Sequence, residues 1–284
     1  MRKAESFQKL TKKLPREREE GWDEKAIEYA RLPETNRIFR LKKELLYEVI
    51  EKDIFPGIDN RDIHVLDFNC GCGNDFSFFL EKGWHVTGCD GSAGMLNVAF
   101  EKFRDRIDNG HLELFHGMAE DMDQDSFEGR KFDLVFSTTG GFSYVDDAEF
   151  VREHRILLDM LKPGGKLLTA HLTPFCLAES LYEILHFRFS KARMRWKKTL
   201  TIVVKDEEFT MYLRSSGRIG KLLKETGRLE KKYAILTLTP PYQTGYNPGH
   251  AIVKLHKAID RKLLRFGPAT KFSDQVAFRL SKRD

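Results

Sequence analysis

Apolar residues at Ile38, Leu41, Leu45, Leu46 and Val49 recur at the spacing of one helix face, and the pattern runs from Trp22 to about Glu51. Pro33 precedes its longer part and Pro56-Gly57 closes it, so two helices are predicted, the second the longer. Residues 1–20 are charged and read as a poorly packed lead-in.

The period then changes. Short β-branched or aromatic runs at 63–68, 84–90, 112–115, 131–137 and 166–173 read as strands. Helices starting near Asp75, Ser92 and Phe150 separate several of them, and Ser92 is placed to cap its helix. Strands alternating with helices predict an α/β fold, a mostly parallel sheet with helices on both faces. Beyond Pro174 the pattern loosens. It gives a helix at 175–187, two extended segments pairing over 199–213, and a helix from Ser215 to Thr226 stopped by Gly227. A strand at 233–239, a basic amphipathic helix at 251–265 and a last strand at 276–280 follow.

The chain has 284 residues, 41% of them hydrophobic and 32% charged, which suits a soluble domain with a sizeable core. Four Cys cannot form a disulfide scaffold. No run reaches the ~18 apolar residues of a membrane span, and the N-terminus lacks the apolar stretch of a secretory signal. A cytoplasmic protein without membrane contact is the expectation. The net charge of +5 permits a polyanionic partner without requiring one.

The strongest local signal is a strand, Asp67, a small-residue loop Asn69-Cys70-Gly71-Cys72-Gly73, and a helix; Asp90 then ends the next strand, 23 residues after Asp67. Small residues let a loop approach a ligand closely. A carboxylate at the tip of the second strand suits two ribose hydroxyls. Phe76 stands where a dinucleotide loop would carry its third glycine, and Asp75 at the helix start disfavours a pyrophosphate. There is no phosphate-binding Gly-Lys-Ser/Thr either. A nucleoside without a bulky anion is the ligand these residues suggest.

The stretch VLDFNCGCGNDFSFFLEKGWHVTGCDGSAGML resembles the first two motifs of the class I S-adenosylmethionine-dependent methyltransferases. GMAEDM (117–122), KFDLVFS (131–137) and LLDMLKPGGKLLTA (157–170) are similar to later pieces of that family, in family order. The resemblance covers about residues 60–173. It implies a Rossmann-like methyltransferase fold with a seven-stranded, mostly parallel sheet. Residues 1–58 would then be a helical cap, and 59–284 the methyltransferase domain, with substrate-covering insertions at about 175–213 and 240–270. S-adenosyl-L-methionine is the implied cofactor. Asp67 and the Asn69, Cys70, Gly71 and Gly73 backbone would line its methionine end. Asp90 would hold the ribose, Gly91 and Met95 would flank the adenine, Ala119 and Glu120 would touch its edge, and Ser137 would neighbour cofactor and substrate. Two positions depart from the family pattern: Asn69 replaces the first loop glycine, and Met118 stands where an acidic residue usually meets the adenine.

A sulfonium methyl is already activated, so the protein mainly aligns a nucleophile with it and excludes water. His171, Tyr144 and Asp146 follow strand ends and are the candidate catalytic groups. No metal site is expected, because Cys70 and Cys72 belong to the loop and Cys89 and Cys176 lack clustered partners. A small-molecule acceptor, methylated on oxygen or nitrogen, fits the amount of added structure. The stretch FRFSKARMRWKK (187–198), with six basic residues and no acidic one, supports RNA as an alternative acceptor. A protein acceptor and an inactive binding subunit are the remaining readings. The oligomeric state stays open.

Overall fold

The computed structural model describes residues 8–10, 21–57, 62–117, 126–138, 140–204 and 207–283. Its centre is a sheet whose parallel part comprises β2 (His64–Phe68), β3 (His85–Asp90), β4 (Leu112–His116), β5 (Phe132–Ser137) and β6 (Leu161–Leu172). The antiparallel part follows with β9 (Arg228–Ile235) and β10 (Gln275–Ser281). Strand order is β4-β3-β2-β5-β6-β10-β9, with β10 antiparallel to both of its neighbours. Order reverses between β2 and β5, so the loops after these two strands open side by side.

Helices cover both faces. On one face α2 (Arg37–Val49), α3 (Phe76–Leu80) and α4 (Ala93–Lys102) bury Leu45, Phe79 and Leu96 against the sheet. On the other, α6 (Asp147–Asp159) and α9 (Ser216–Thr226) bury Leu157 and Leu223. Helix α1 (Gly21–Thr35) lies beside α4 and α2, and α5 (Arg104–Asp108) continues from α4. Past β6 come α7 (Leu177–Leu185), the short α8 (Phe189–Ala192) and an antiparallel hairpin of β7 (Thr199–Val204) and β8 (Glu207–Tyr212). Helix α10 (His250–Leu263) packs on α2.

Several boundaries differ from the sequence reading, each for a local reason. Gln8–Lys9 form an edge strand, β1, antiparallel to β4, and Leu10 is buried, so this part of the lead-in is packed. The break between the N-terminal helices falls at Asn36, whose side chain caps α2 by accepting from the Ile38 and Phe39 amides; Pro33 lies inside α1. Strand β6 begins at Leu161 and includes Pro163-Gly164-Gly165. A Cβ at Gly165 would stand 2.9 Å from the Phe132 carbonyl, so glycine permits the close strand approach there. Strand β9 ends at Ile235, before the predicted end. Leu236 turns the chain with φ +55, and the next amides, of Thr237 and Leu238, donate to buried Asp260 instead of a strand. Gly227 does stop α9, but with extended backbone; its role is space, since a Cβ would meet Leu158 at 2.6 Å.

Candidate active site

The loop after β2 is held in shape by its neighbours. Asn69 takes a left-handed φ of +59, and its side chain lies over Gly141, where any Cβ would collide with it. Asparagine tolerates this conformation better than most residues, so the turn survives the missing glycine. The Cys70 amide donates to the Cys89 carbonyl on β3 (3.0 Å). Phe76 fills the space that a third loop glycine would leave. Its ring fits because Gly73 and Gly88 flank it: a Cβ on either would stand 2.4 Å from a ring carbon.

Asp90 ends β3 beside this loop. Its two oxygens accept from the Gly71 amide (2.7 Å) and the Ser92 amide (2.9 Å). Those bonds aim the carboxylate and still leave acceptor positions for a diol. Burial draws its pKa upward, and the amides pull against that. The Ser92 hydroxyl caps α4 by accepting from the Met95 amide (3.1 Å). A Cβ at Gly71 would stand 3.8 Å from both Met95 Sδ and a Tyr29 ring carbon, in ordinary contact.

Three polar atoms at the carboxyl ends of β2 and β5 are buried without a hydrogen-bond partner among the described residues: Asp67 Oδ2, Ser137 Oγ and Thr138 Oγ1. Leaving such groups unsatisfied costs about 1–3 kcal/mol each, so their placement at the ends of two neighbouring strands points to a ligand. Burial and the neighbouring Asp75 raise the Asp67 pKa well above the carboxylate range, while Lys43 opposes this. Asp75 is itself buried and accepts from Lys43 Nζ (2.5 Å) and Tyr47 Oη (2.8 Å), which ties α2 to the loop. The charge expected to repel a pyrophosphate is therefore neutralised from α2.

The candidate catalytic groups fare differently. Tyr144 is half-buried after β5, near Phe209, and burial pushes its phenol up to about 12. Asp146 is exposed and caps α6 through the Ala148 and Glu149 amides (2.9 Å each). His171 is buried in the sheet–helix layer, between the rings of Phe142, Phe150 and Phe278, with Nε2 3.0 Å from Thr169 Oγ1. Burial lowers its pKa well below the ordinary value, so it is a neutral core residue. The structure thus brings Tyr144 to the strand ends but gives Asp146 and His171 structural work. Ala119, Glu120 and Met118 lie outside the described residues.

The sequence reading missed Lys42. Its side chain is buried, with Nζ 5.1 Å from the Phe39 ring and 5.6 Å from the Tyr242 ring, and it forms no ion pair or hydrogen bond among the described residues. Burial, with help from Lys43, lowers its pKa to about 8. A signal existed: Lys42 falls three residues after Phe39 and four before Leu46, on the buried face. Arg195, read from sequence as part of the basic stretch that could meet RNA, turns inward instead. It lies among Cys176, Glu179 and Asp274, whose donor atoms come within 4.8 Å of one another, a clustering that the spacing of the cysteines did not suggest. Arg195 pairs with Glu179 (2.6 Å) and Asp274 (2.7 Å), so the cation of this cluster is a guanidinium. Burial pushes the Cys176 thiol up to about 12, so it stays protonated. Asp274 Oδ2 has no partner among the described residues.

Comparison with known proteins bears on the whole arrangement. Residues 65–165 match the family described as "Methyltransferase domain". They form a methyltransferase domain. The domain shares 32% identity over 117 residues with mouse glycine N-methyltransferase, covering 38% of this chain and 39% of that protein. Demethylmenaquinone methyltransferase of Listeria welshimeri is 35% identical over 111 residues, covering 38% and 44%. The chain thus spans less than half the length of these curated relatives. In fold, the chain resembles an S-adenosylmethionine-dependent methyltransferase from Clostridium acetobutylicum, with TM-score 0.56, 15% identity and coverage of 93% and 100%. A DhpI complex with S-adenosylhomocysteine gives TM-score 0.53 at 15% identity, covering 93% and 94%. The ligand of that neighbour is the demethylated form of S-adenosyl-L-methionine. The unsatisfied Asp67 oxygen and the fixed Asp90 carboxylate suit its ammonium group and its ribose.

Proposed function

We propose that the chain transfers the methyl group of S-adenosyl-L-methionine to an oxygen or nitrogen atom of a small-molecule acceptor. The carrying observation is the set of unpartnered polar atoms on Asp67, Ser137 and Thr138, beside an Asp90 carboxylate already aimed by two amides. When bound, the cofactor supplies a methyl group activated on a sulfonium. Asp90 holds the ribose hydroxyls, and Asp67 takes the methionine ammonium with the Asn69, Cys70, Gly71 and Gly73 backbone around it. Gly91 and Met95 flank the adenine. Ala119 and Glu120 keep the roles their positions in the motif imply.

Apart from Tyr144, the acceptor side is built from outside the matched region. Tyr29, Phe39 and Tyr242 stack edge to face, with centroids 5.8 and 5.2 Å apart, and exclude water above the loop. Lys42 brings an amine close to neutrality in proton affinity, which suits accepting a proton from an attacking hydroxyl or ammonium. Tyr144 keeps its own proton at neutral pH and orients the acceptor by donating. The relatives act on glycine and on demethylmenaquinone, and such different acceptors agree with specificity residing in these added elements.

Calorimetric titration with S-adenosylmethionine and S-adenosylhomocysteine tests the reading. Wild-type protein should bind both, and Asp90→Ala should weaken binding by about tenfold or more, the worth of charge-assisted hydrogen bonds of ~1.5–3 kcal/mol. Folded wild-type protein that binds neither ligand would sink the proposal. A screen of amines and alcohols with a labelled methyl donor then sorts the acceptors.

A further inference from the structure

The segment from α7 to the β7–β8 hairpin turns an apolar face outward. Leu181, Leu185, Phe187, Phe189, Met194 and Trp196 are all exposed on it, Leu185 at 75% and Phe187 at 83%. The backbone presents Phe187 at a cost. Helix α7 ends with the Phe187 amide donating to the Ile184 carbonyl (2.9 Å) and the Arg188 amide to the Glu183 carbonyl (2.8 Å). This cap places Phe187 at a left-handed φ of +57, a position that glycine usually fills because a Cβ is strained there. Phenylalanine accepts the strain and gains no burial from this chain.

The charges around it are sorted by the fold. Of the six basic residues in 187–198, Arg188 pairs with Glu183 (2.6 Å), and Arg195 is committed to Glu179 and Asp274. The other four, Lys191, Arg193, Lys197 and Lys198, are exposed and form no ion pair among the described residues. No acidic residue stands between Glu183 and Asp206. Protruding apolar side chains among unpaired cations are the composition of an interfacial anchor, and the matching charge is that of anionic lipid headgroups. A single-stranded nucleic acid would want flat aromatic platforms along a basic track; here aliphatic leucines share the face with the rings.

We propose that this face docks the protein peripherally on an anionic lipid bilayer, with Phe187 as the inserted tip and Lys191, Arg193, Lys197 and Lys198 as the headgroup contacts. No helix of the described residues is long and apolar enough to cross a membrane. Surface docking needs none, so the lack of a spanning run does not bear on it. The proposal stands independently of the acceptor.

Cosedimentation of the full chain with vesicles tests it, using phosphatidylcholine alone and phosphatidylcholine mixed with phosphatidylglycerol. Binding should require the anionic lipid and weaken with salt. Phe187→Gly relieves the left-handed strain, so thermal stability should hold or rise while vesicle binding falls by about tenfold. The triple variant Lys191→Gln, Lys197→Gln, Lys198→Gln should lose about fivefold for each charge removed. Wild-type protein that ignores anionic vesicles, or a Phe187→Gly protein that binds them as well as wild type, overturns the proposal. So does a self-associated species in sedimentation velocity that Phe187→Gly dissociates, which assigns the face to a second copy. Single-stranded RNA binding lost in the triple variant, with no vesicle binding by wild type, assigns it to nucleic acid instead.

Discussion

Replacing Lys42 by Met should stabilise the protein at neutral pH. The ammonium is buried beneath Phe39 and Tyr242 without a hydrogen-bonded counter-charge, and its pKa falls from 10.5 to about 8. That drop corresponds to about 3 kcal/mol of destabilisation whenever the native lysine must stay charged. The direction with pH follows from proton counting. Below about pH 8 both native and unfolded chains hold the proton, and the native state bears the full burial cost. Between about 8 and 10.5 the native amine is neutral while the unfolded one is still charged, so unfolding takes up a proton and stability rises with pH. Methionine has a similar length and no charge to bury, so the variant skips this cost. Urea unfolding of both proteins, from about neutral pH to about pH 10, isolates the effect, because other titrating groups cancel in the difference. The variant should lead by as much as ~3 kcal/mol near neutrality, and the gap should close toward pH 10. A variant less stable at neutral pH, or a gap that ignores pH, refutes the assignment of a strained buried amine. Methyl transfer by the stabilised variant should fall, since the strain belongs to the acceptor pocket.

Three further outcomes follow from the geometry. Asp75→Asn strands the Lys43 ammonium in the interior and should cost about 3–5 kcal/mol in urea unfolding. Gly88→Ala drives a methyl group into the Phe76 ring and should cost about 1–3 kcal/mol, with cofactor affinity falling alongside because the same ring supports the loop at Gly73. Asp146→Ala removes a helix cap and should lower stability by about 1 kcal/mol while leaving the methyl-transfer rate unchanged; a collapse in rate at preserved stability would return Asp146 to the chemistry.

The parallel half of the sheet was readable because each strand there is a short apolar run punctuated by turn residues, as in 63–68 and 131–137. Asp90 was readable for the same reason: its strand ends at a turn, and the distance from Asp67 sets its place. What escaped was decided by tertiary partners. Pro163-Gly164-Gly165 reads as a stop, yet β6 runs through it because Phe132 pairs across to Leu161. His171 reads as the end of a strand, where a catalytic base would sit, but it lies within β6 and its alternation points it into the layer of Phe150 and Phe278. The six cations of 187–198 look alike in sequence, and only the fold reveals that Arg188 and Arg195 are spent on internal carboxylates. Lys42 needed the reverse inference, a charge on an apolar stripe taken as a clue instead of noise.

The two-residue strand at Gln8–Lys9 has a consequence for how this sheet behaves in a crowd. The unpaired rim of β4 is a template on which any extended peptide could add. Gln8 and Lys9 occupy it in antiparallel register, the Leu10 amide adds a bond to the Leu114 carbonyl (2.7 Å), and Lys9 clips to Glu113 (2.6 Å). The opposite rim, β9, bears Arg228, Lys231 and Lys232, and lysines on an edge strand disfavour pairing with a second copy. The chain thus guards one border by occupation and the other by charge. An expression design that trims the residues ahead of Trp22 would strip the first guard and leave a protein prone to edge-on aggregation.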